Sequence, residues 1–538
     1  MGEAKADRVL TGGRIFLGLA EGFAEALALR QGRILAHGTS SDLETLIGPQ
    51  TDVIQLGGRA AVPGFNDGHQ HMLLYGLELD ELNLHPSRLG SLAELQAAVA
   101  QRATELPPDS WILGRRYDHF HLDVGRHPTR DDLDTAAPDH PVFVTRTCGH
   151  VGVANSRALA LAGIDAATAD PPGGEIERRD GRATGVLFET AQQLIKAVLP
   201  PLEQTRMIAA LEAAGAAFLA QGITSVTDAG LGLRQRFDDY LAYKAAQEAG
   251  RLPLRVYLAF TGGPDGIEAE TAAAGLKTGQ GDERLKIGPI KLFADGSAGG
   301  KTAAMTLPYI CACQNRGLFV YQDQELDDWV ARYHTAGYQV AIHAIGDAAI
   351  EQALNAVEKA QRSHPSAGRR HRIEHCGFTH GAQIQRMARL GMIPAPQPIF
   401  LYEFGELYVD VLGEERPATA YPMRSWMSAC LLPIASSDTP VSDFSPMKNL
   451  YAMIARQTHK GRVLGAQEAL TLEEAVSALT LNGAYGSFSE KQKGTLEAGR
   501  LADIAVLDRD IFAGPPEALL EAQVDMTFLE GEAVFSRL

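Results

Sequence analysis

Five short stretches of this sequence carry side chains suited to holding a metal ion or moving a proton. In Asn66-Asp67-Gly68-His69-Gln70-His71 two histidines lie two residues apart. Alternate side chains of an extended backbone share a face, so both imidazoles can be offered to one ion. Lys291 sits inside the apolar run Gly288-Pro289-Ile290-Lys291-Leu292-Phe293. An unpaired ammonium is costly there, so the residue must be paired, neutral or chemically modified. His343 and His375 each close an apolar run, and Asp438 follows Pro433-Ile434-Ala435-Ser436-Ser437. Taken singly, these are ordinary: surface histidines, an ion-paired lysine, hydrogen-bonded core histidines, and an aspartate capping a turn. Taken together, imidazoles and carboxylates at successive strand ends suit a hydrolytic zinc or a similar divalent ion.

The elements that must position these groups alternate between apolar strands and helical stretches. Strand candidates run over residues 61–65, 223–227, 254–260, 288–293, 339–343, 372–374, 392–395 and 433–436, which makes eight. Helical spacing separates most of them, as in Met207, Leu211, Ala214 and Phe218 within 203–221, and again over 347–361. Eight parallel strands with intervening helices predict an α/β fold of the (β/α)8 TIM-barrel type, whose loops at the carboxyl ends of the strands build the active site. Counting along the chain, Lys291 falls on strand four, His343 on five, His375 on six and Asp438 on eight.

The barrel is expected over 61–489, interrupted after its first strand by a rim or lid insertion at 72–200. That stretch is too long for one crossover helix and carries strand-like runs at 111–115 and 142–146, with a Pro-Pro-Gly-Gly turn at 171–174. Both ends read as short strands broken by glycines. Residues 1–60 and 490–538 are therefore expected to pair with each other in one small β-sandwich domain.

Composition narrows the function classes. Of 538 residues, 49 Lys+Arg against 66 Asp+Glu give a net charge of -17, which argues against a nucleic-acid-binding surface. No apolar run reaches the roughly 20 residues that cross a bilayer, and the start has no signal-type stretch, so a cytoplasmic protein without a membrane partner is expected. Five cysteines are too sparse to staple a chain of this size, and Cys311-Ala312-Cys313 is a weak soft-metal pair.

The order H-x-H, Lys, His, His, Asp along the strands resembles the amidohydrolase superfamily. The spellings Lys291-Leu292-Phe293-Ala294-Asp295-Gly296-Ser297, His343-Ala344-Ile345-Gly346-Asp347, Arg372-Ile373-Glu374-His375 and Ser437-Asp438-Thr439-Pro440 resemble its family 3, which includes N-substituted formamide deformylases. The resemblance spans nearly the whole chain, and Gly494-Thr495-Leu496-Glu497-Ala498-Gly499 is similar to the superfamily's return into its β domain. It implies that His69, His71 and Asp438 hold the more buried ion. Lys291 would be carboxylated, its carbamate bridging two ions, while His343 and His375 hold the second. One or two divalent ions are implied, with zinc the first choice.

The implied activity is hydrolysis of a non-peptide C–N bond in a small amide such as an N-formyl or N-acyl amine or a cyclic amide, with Asp438 as the catalytic base. A lactonase or esterase on the same centre, or a non-catalytic binding relative, are the alternatives. His150, Asp295 and Gln397 are candidates for substrate contact, with Tyr402, Phe404 and Tyr408 as a candidate aromatic wall. A second H-x-H, His119-Phe120-His121, is read as a substrate contact in the insertion sooner than as a metal site. Homodimerisation is compatible with a barrel enzyme of this kind.

Overall fold

The computed structural model describes residues 5–537 except Ser87, Cys148, Gly149, Pro172 and residues 311–313. The Cys311-Ala312-Cys313 pair, two neighbours of His150 and part of the Pro-Pro-Gly-Gly turn therefore lie outside the described residues. The chain divides into two compact units, one spanning Gly76–Arg206 and the other the remaining residues.

The larger unit contains a nearly closed parallel sheet of seven strands in chain order: β1 (Phe65–Gln70), β2 (Ile223–Leu231), β3 (Arg255–Thr261), β4 (Leu285–Phe293), β5 (Val340–Ala344), β6 (Arg372–His375) and β7 (Ile393–Ala395). β1, β2, β3, β6 and β7 are buried throughout and β4 at all but Lys286 and Phe293, and burial on both faces is why β3 and β4 read as largely apolar runs without alternation. The connecting helices show the complementary pattern. Helix Asp347–Ser363 buries Ile350, Leu354 and Val357 at helical spacing, while Glu351, Glu358 and Lys359 lie off that stripe.

Two strands differ from the sequence expectation. Residues 60–63 belong to another sheet, pairing with Arg14–Gly18 and Ile504–Leu507, and the barrel strand starts only at Phe65. Gly64 makes the transfer: a Cβ there would lie 2.3 Å from Thr224 Oγ1, so only glycine lets the chain pass this close to β2.

The eighth strand, expected at 433–436, does not form a regular ladder. Its backbone bonds are few and split between two edges. Ile434 N donates to Pro394 O at 2.9 Å, Asp438 N to His69 O at 2.7 Å, and His71 N donates to Thr439 O at 2.9 Å. Side chains take over the pairing, since Ser437 N donates to Asp67 Oδ1, Ser437 Oγ to Asp67 Oδ2, and Ser436 Oγ to Pro396 O. The segment thus fills the gap between β7 and β1 as an irregular stave of a TIM-like barrel.

Two further sheets lie in the same unit. One has four strands drawn from residues 8–55. The other has six and joins Ala60–Pro63, Arg14–Gly18 and Gly22–Ala24 to Ile504–Leu507, Val524–Leu529 and Glu532–Ser536. Leu10, Ile15, Leu27, Leu29, Ile504, Val506 and Phe528 form a common core. Arg255 at the start of β3 grips Asp503 through two buried hydrogen bonds of 2.7 and 3.0 Å, tying barrel to sheet. The Gly76–Arg206 unit has its own six-stranded sheet, in which Val142 and Val144 face one core and Phe143 another, the alternation a two-faced sheet requires.

One relay near the starts of β5 and β6 makes stability depend on pH. Val340 N donates to His371 Nδ1 at 2.9 Å, His371 Nε2 meets His334 Nδ1 at 2.8 Å, and His334 Nε2 meets His364 O at 2.7 Å. The chain of partners fixes both tautomers and leaves no site for another proton. Burial, with the nearby His334 and Arg369, pushes His371 down to about 3. The unfolded chain binds a proton near pH 6.5 that the folded chain refuses, so this stability is complete above pH 6.5 and lost as pH falls toward 3, with a slope of up to about 1.4 kcal/mol per pH unit. Denaturant unfolding of chelator-treated protein between pH 7.5 and 5 should show this slope. His371→Leu should be less stable at pH 7.5 and lose one proton's share of the slope; parallel slopes for the two proteins would exclude the relay.

Candidate metal centre

The carboxyl ends of the barrel strands bring the sequence-predicted groups together. His69 is the last residue but one of β1 and His71 follows the strand, Lys291 lies on β4, His343 on β5, His375 closes β6, and Asp438 lies on the irregular stave. His69, Lys291, His375 and Asp438 are buried, while His71 and His343 are half-buried. Asp438 Oδ1 is 3.3 Å from His69 Nε2 and 3.2 Å from His71 Nε2. Ring centroids are 5.6 Å apart for His69 and His71, 4.9 Å for His69 and His375, and 4.4 Å for His343 and His375. Among the described residues, one group of three metal-type donors lies within 4.8 Å of one another: His69, His375 and Asp438.

Three of the four imidazoles have one nitrogen already engaged, which decides the nitrogen each can offer. His375 Nδ1 meets Gln397 Oε1 at 2.6 Å, and Gln397 Nε2 is held by Ser436 Oγ and Ala395 O. The Gln397 oxygen therefore accepts, His375 carries its proton on Nδ1, and Nε2 is left for an ion. His343 is turned the other way, with Nε2 3.0 Å from Gly296 O, so its Nδ1 is the free donor. His69 Nδ1 meets Glu374 Oε2, and Arg372 grips Glu374 from Nε at 2.7 Å and Nη2 at 2.9 Å.

The electrostatics are those of charged groups crowded together and largely buried. Burial alone would raise the Asp438 carboxyl, but the hydrogen bonds from His69 and His71 hold it well below the usual range. Burial likewise works against the Glu374 carboxylate and is outweighed by Arg372, His69 and Lys291. His375 is driven well below the ordinary imidazole value by burial and then by His343, so it is a neutral donor. Burial lowers the Lys291 ammonium to about 8 although Glu374 and Asp438 oppose it, and its Nζ lies 5.0 Å from the Phe293 ring centroid. Two buried imidazole nitrogens and a carboxylate oxygen, oriented by fixed partners, are a donor set that fits a divalent ion.

Backbone conformation contributes as well. His375, Cys376 and Asp438 have φ of +66°, +50° and +62°, values that non-glycine residues adopt at some cost and that here turn two donors inward at the ends of their segments.

The weaker expectations fare differently. Asp295 accepts from Ala304 N, Ile345 N and Gly346 N at 2.9, 3.0 and 2.8 Å, so it anchors the loop after β4 to the end of β5. Gln397 is engaged by His375. His150 is exposed in the Gly76–Arg206 unit, with Nδ1 2.8 Å from Glu189 Oε2. His119 accepts from Arg146 Nε at 3.1 Å while His121 is exposed, and neither belongs to the three-donor group. Tyr408 is buried with its hydroxyl 3.2 Å from that of Tyr421, and Tyr402 packs on Tyr451. Phe404 packs on Phe400, whose ring is stacked 6.4 Å from that of His375, so this part of the aromatic cluster does border the centre. Sequence reasoning missed Glu374 and Asp67. The one available signal was a carboxylate two residues before His69 and another directly before His375, both in runs otherwise buried.

Comparison with known proteins agrees with this geometry. The amidohydrolase family profile matches residues 52–535. The Bacillus subtilis (strain 168) protein YtcJ, named an amidohydrolase, is 32% identical over 98% of this chain and 99% of its own. An Arthrobacter pascens N-substituted formamide deformylase is 30% identical over 96% of this chain and 95% of its own. The crystal structure of a metal-dependent hydrolase from Pyrococcus furiosus superposes with a TM-score of 0.77 at 27% identity, covering 94% of this chain and 99% of that one.

The backing of His71 gives a direct check. A Cβ at Gly230 would stand 2.9 Å from His71 Nδ1 and 2.6 Å from Leu233 Cδ1. Gly230→Ala should therefore displace the His71 ring, and a displacement near 1 Å costs about 100-fold in rate. The expected result is a folded protein with unchanged far-UV circular dichroism and at least tenfold weaker zinc retention against a chelator. Wild-type retention would show that His71 is not a ligand.

Proposed function

The chain belongs to the amidohydrolase family, and from that premise we propose that it hydrolyses a non-peptide C–N bond in a small amide, with an N-formyl or N-acyl amine as the first substrate class to test. The observation that carries this reading is the convergence of His69, His375 and Asp438 within 4.8 Å, with His71 in reach of the same Asp438 oxygen. His69, His71, His343, His375 and Asp438 would hold one or two divalent ions, zinc being the first choice, and Lys291 would complete the pair as a carbamate. A lysine lowered to about 8 is partly unprotonated at neutral pH, the state that reacts with carbon dioxide.

When bound, the ion supplies a hydroxide at neutral pH and polarises the substrate carbonyl. The rest falls to the chain's own groups. Asp438, ionised across the physiological range, accepts the proton released by the attacking water on Oδ and returns it to the departing nitrogen. Neutral His375 keeps Nε2 available because Gln397 holds its other nitrogen. Phe293 beside Lys291, and Phe400 beside His375 with Phe404 packed behind it, give the centre an apolar border that suits the carbon substituent of the amide.

The test is a hydrolysis screen of metal-loaded protein over N-formyl amines, N-acyl amines and cyclic amides, each with its matched ester. Amide turnover that is abolished by chelation and restored by zinc is expected, and ester turnover alone would replace the reading by an esterase. Asp438→Asn should lower kcat by about 100- to 10,000-fold, the range contributed by a positioned acid–base group, and rates near wild type would remove Asp438 as the base. Metal-free protein stripped of carbon dioxide should regain activity faster when zinc is added with bicarbonate than with zinc alone; equal recovery would argue against the carbamate.

A further inference from the structure

The group beneath the centre most in need of an explanation is Glu374. Together with Arg372 and His69 it is 1% exposed, and the three side chains are joined in one network whose far end, His69 Nε2, lies 3.3 Å from Asp438 Oδ1. Arg372 donates to both Glu374 oxygens, and its Nη2 also donates to Gly68 O at 2.7 Å. Glu374 then meets His69 Nδ1. β6 and β1 are not neighbours in the sheet, since β7 and the irregular stave lie between them. The network therefore crosses the barrel interior and grips β1 twice, once by its backbone at Gly68 and once by its side chain at His69.

This is more than an ion pair filling a core. A buried Arg–Glu pair gains little net stability over well-packed apolar residues of similar size, so stability alone does not account for placing one here. Arg372 already donates to both Glu374 oxygens, so Glu374 accepts from Nδ1, which places a His69 proton on that nitrogen and turns Nε2 toward Asp438 as the nitrogen left for an ion. The contact also raises the basicity of the imidazole as a donor and fixes the plane of its ring. Arg372, donating to both of its oxygens, holds the carboxylate in place.

We propose that Glu374, held by Arg372, is the positioning residue of the centre, setting the His69 tautomer and ring plane and so the affinity and ligand field of the bound ion. The proposal rests on the reading of His69 as a metal ligand. A carboxylate behind a ligating histidine is worth 10- to 100-fold in ion affinity, and that is the change expected in Glu374→Gln, which keeps the volume but removes the charge.

Because Glu374→Gln also leaves Arg372 buried without its counter-charge, the decisive protein is the double variant Arg372→Met/Glu374→Gln. Removing both charges should restore the melting temperature of the metal-free protein toward wild type, while zinc affinity by chelator competition stays at least tenfold weak and the visible bands of the cobalt-loaded protein stay shifted. Recovery of affinity and spectrum together with stability would reduce the pair to a structural role and overturn the proposal. A readout that needs no variant at the pair is the long-range 1H–15N spectrum of histidine-labelled, metal-free wild type, with the His69 signals assigned by their loss in His69→Asn. A proton on Nδ1 is expected, and a His69 protonated on Nε2 alone would refute the proposal. Wild-type protein that binds no zinc at all would instead defeat the metal-centre reading itself, so the two failures are distinct.

Discussion

Everything in the larger unit is subordinate to one constraint: charged and hydrogen-bonding groups gathered in a water-poor cavity must each have a partner, or the cavity does not form. The answer is a set of nested bonds. Gln397 answers for His375, Gly296 for His343, Glu374 for His69 and Arg372 for Glu374. Gln397 and Gly296 follow neighbouring strands, Glu374 reaches across the barrel interior, and Arg372, on the same strand as Glu374, also bonds to Gly68 O on β1, so satisfying the donors and joining the strands are largely the same act. Donors held by fixed partners are the condition for binding an ion without a large reorganisation cost.

Much of this was legible in the sequence because it follows from periodicity and spacing. Seven of the eight expected strands are present, and the residues expected to converge do so, because a strand buried on both faces must be apolar and a polar residue at its end is conspicuous. The failures have physical causes. The strand expected at 61–65 is two strands in succession, serving two sheets across Gly64, and a pattern of apolar residues cannot show where a chain changes sheets. The strand expected at 433–436 has the composition of a strand, but Ser436 and Ser437 bond through side chains and Asp438 adopts a left-handed conformation, neither of which alternation encodes.

Roles were harder to read than positions. Asp295, Gln397 and Glu374 all have the chemistry of substrate contacts when written as letters, and all three are held by neighbours. What separates a contact from a support is the direction of the side chain, and that depends on partners as distant as the 305 positions between His69 and Glu374. Lys291 is the opposite case. Its oddity within an apolar run was visible at once, and the structure sharpens it, since burial lowers its ammonium although two carboxylates lie nearby.

The irregular stave has a wider consequence. In a barrel closed by a regular eighth strand, closure depends on backbone bonds indifferent to side-chain identity, and the residues doing chemistry are free to vary on top of it. Here the closure runs through Asp67, Ser437 and the backbone of Asp438, so the seam of the barrel and the carboxylate proposed to handle the proton share one short stretch of chain. Such a molecule cannot drift in architecture and chemistry independently. A change that loosens the seam alters the reaction, and a change that retunes the reaction strains the seam, which leaves the loops at the strand ends as the places where new specificities can be explored without reopening the barrel.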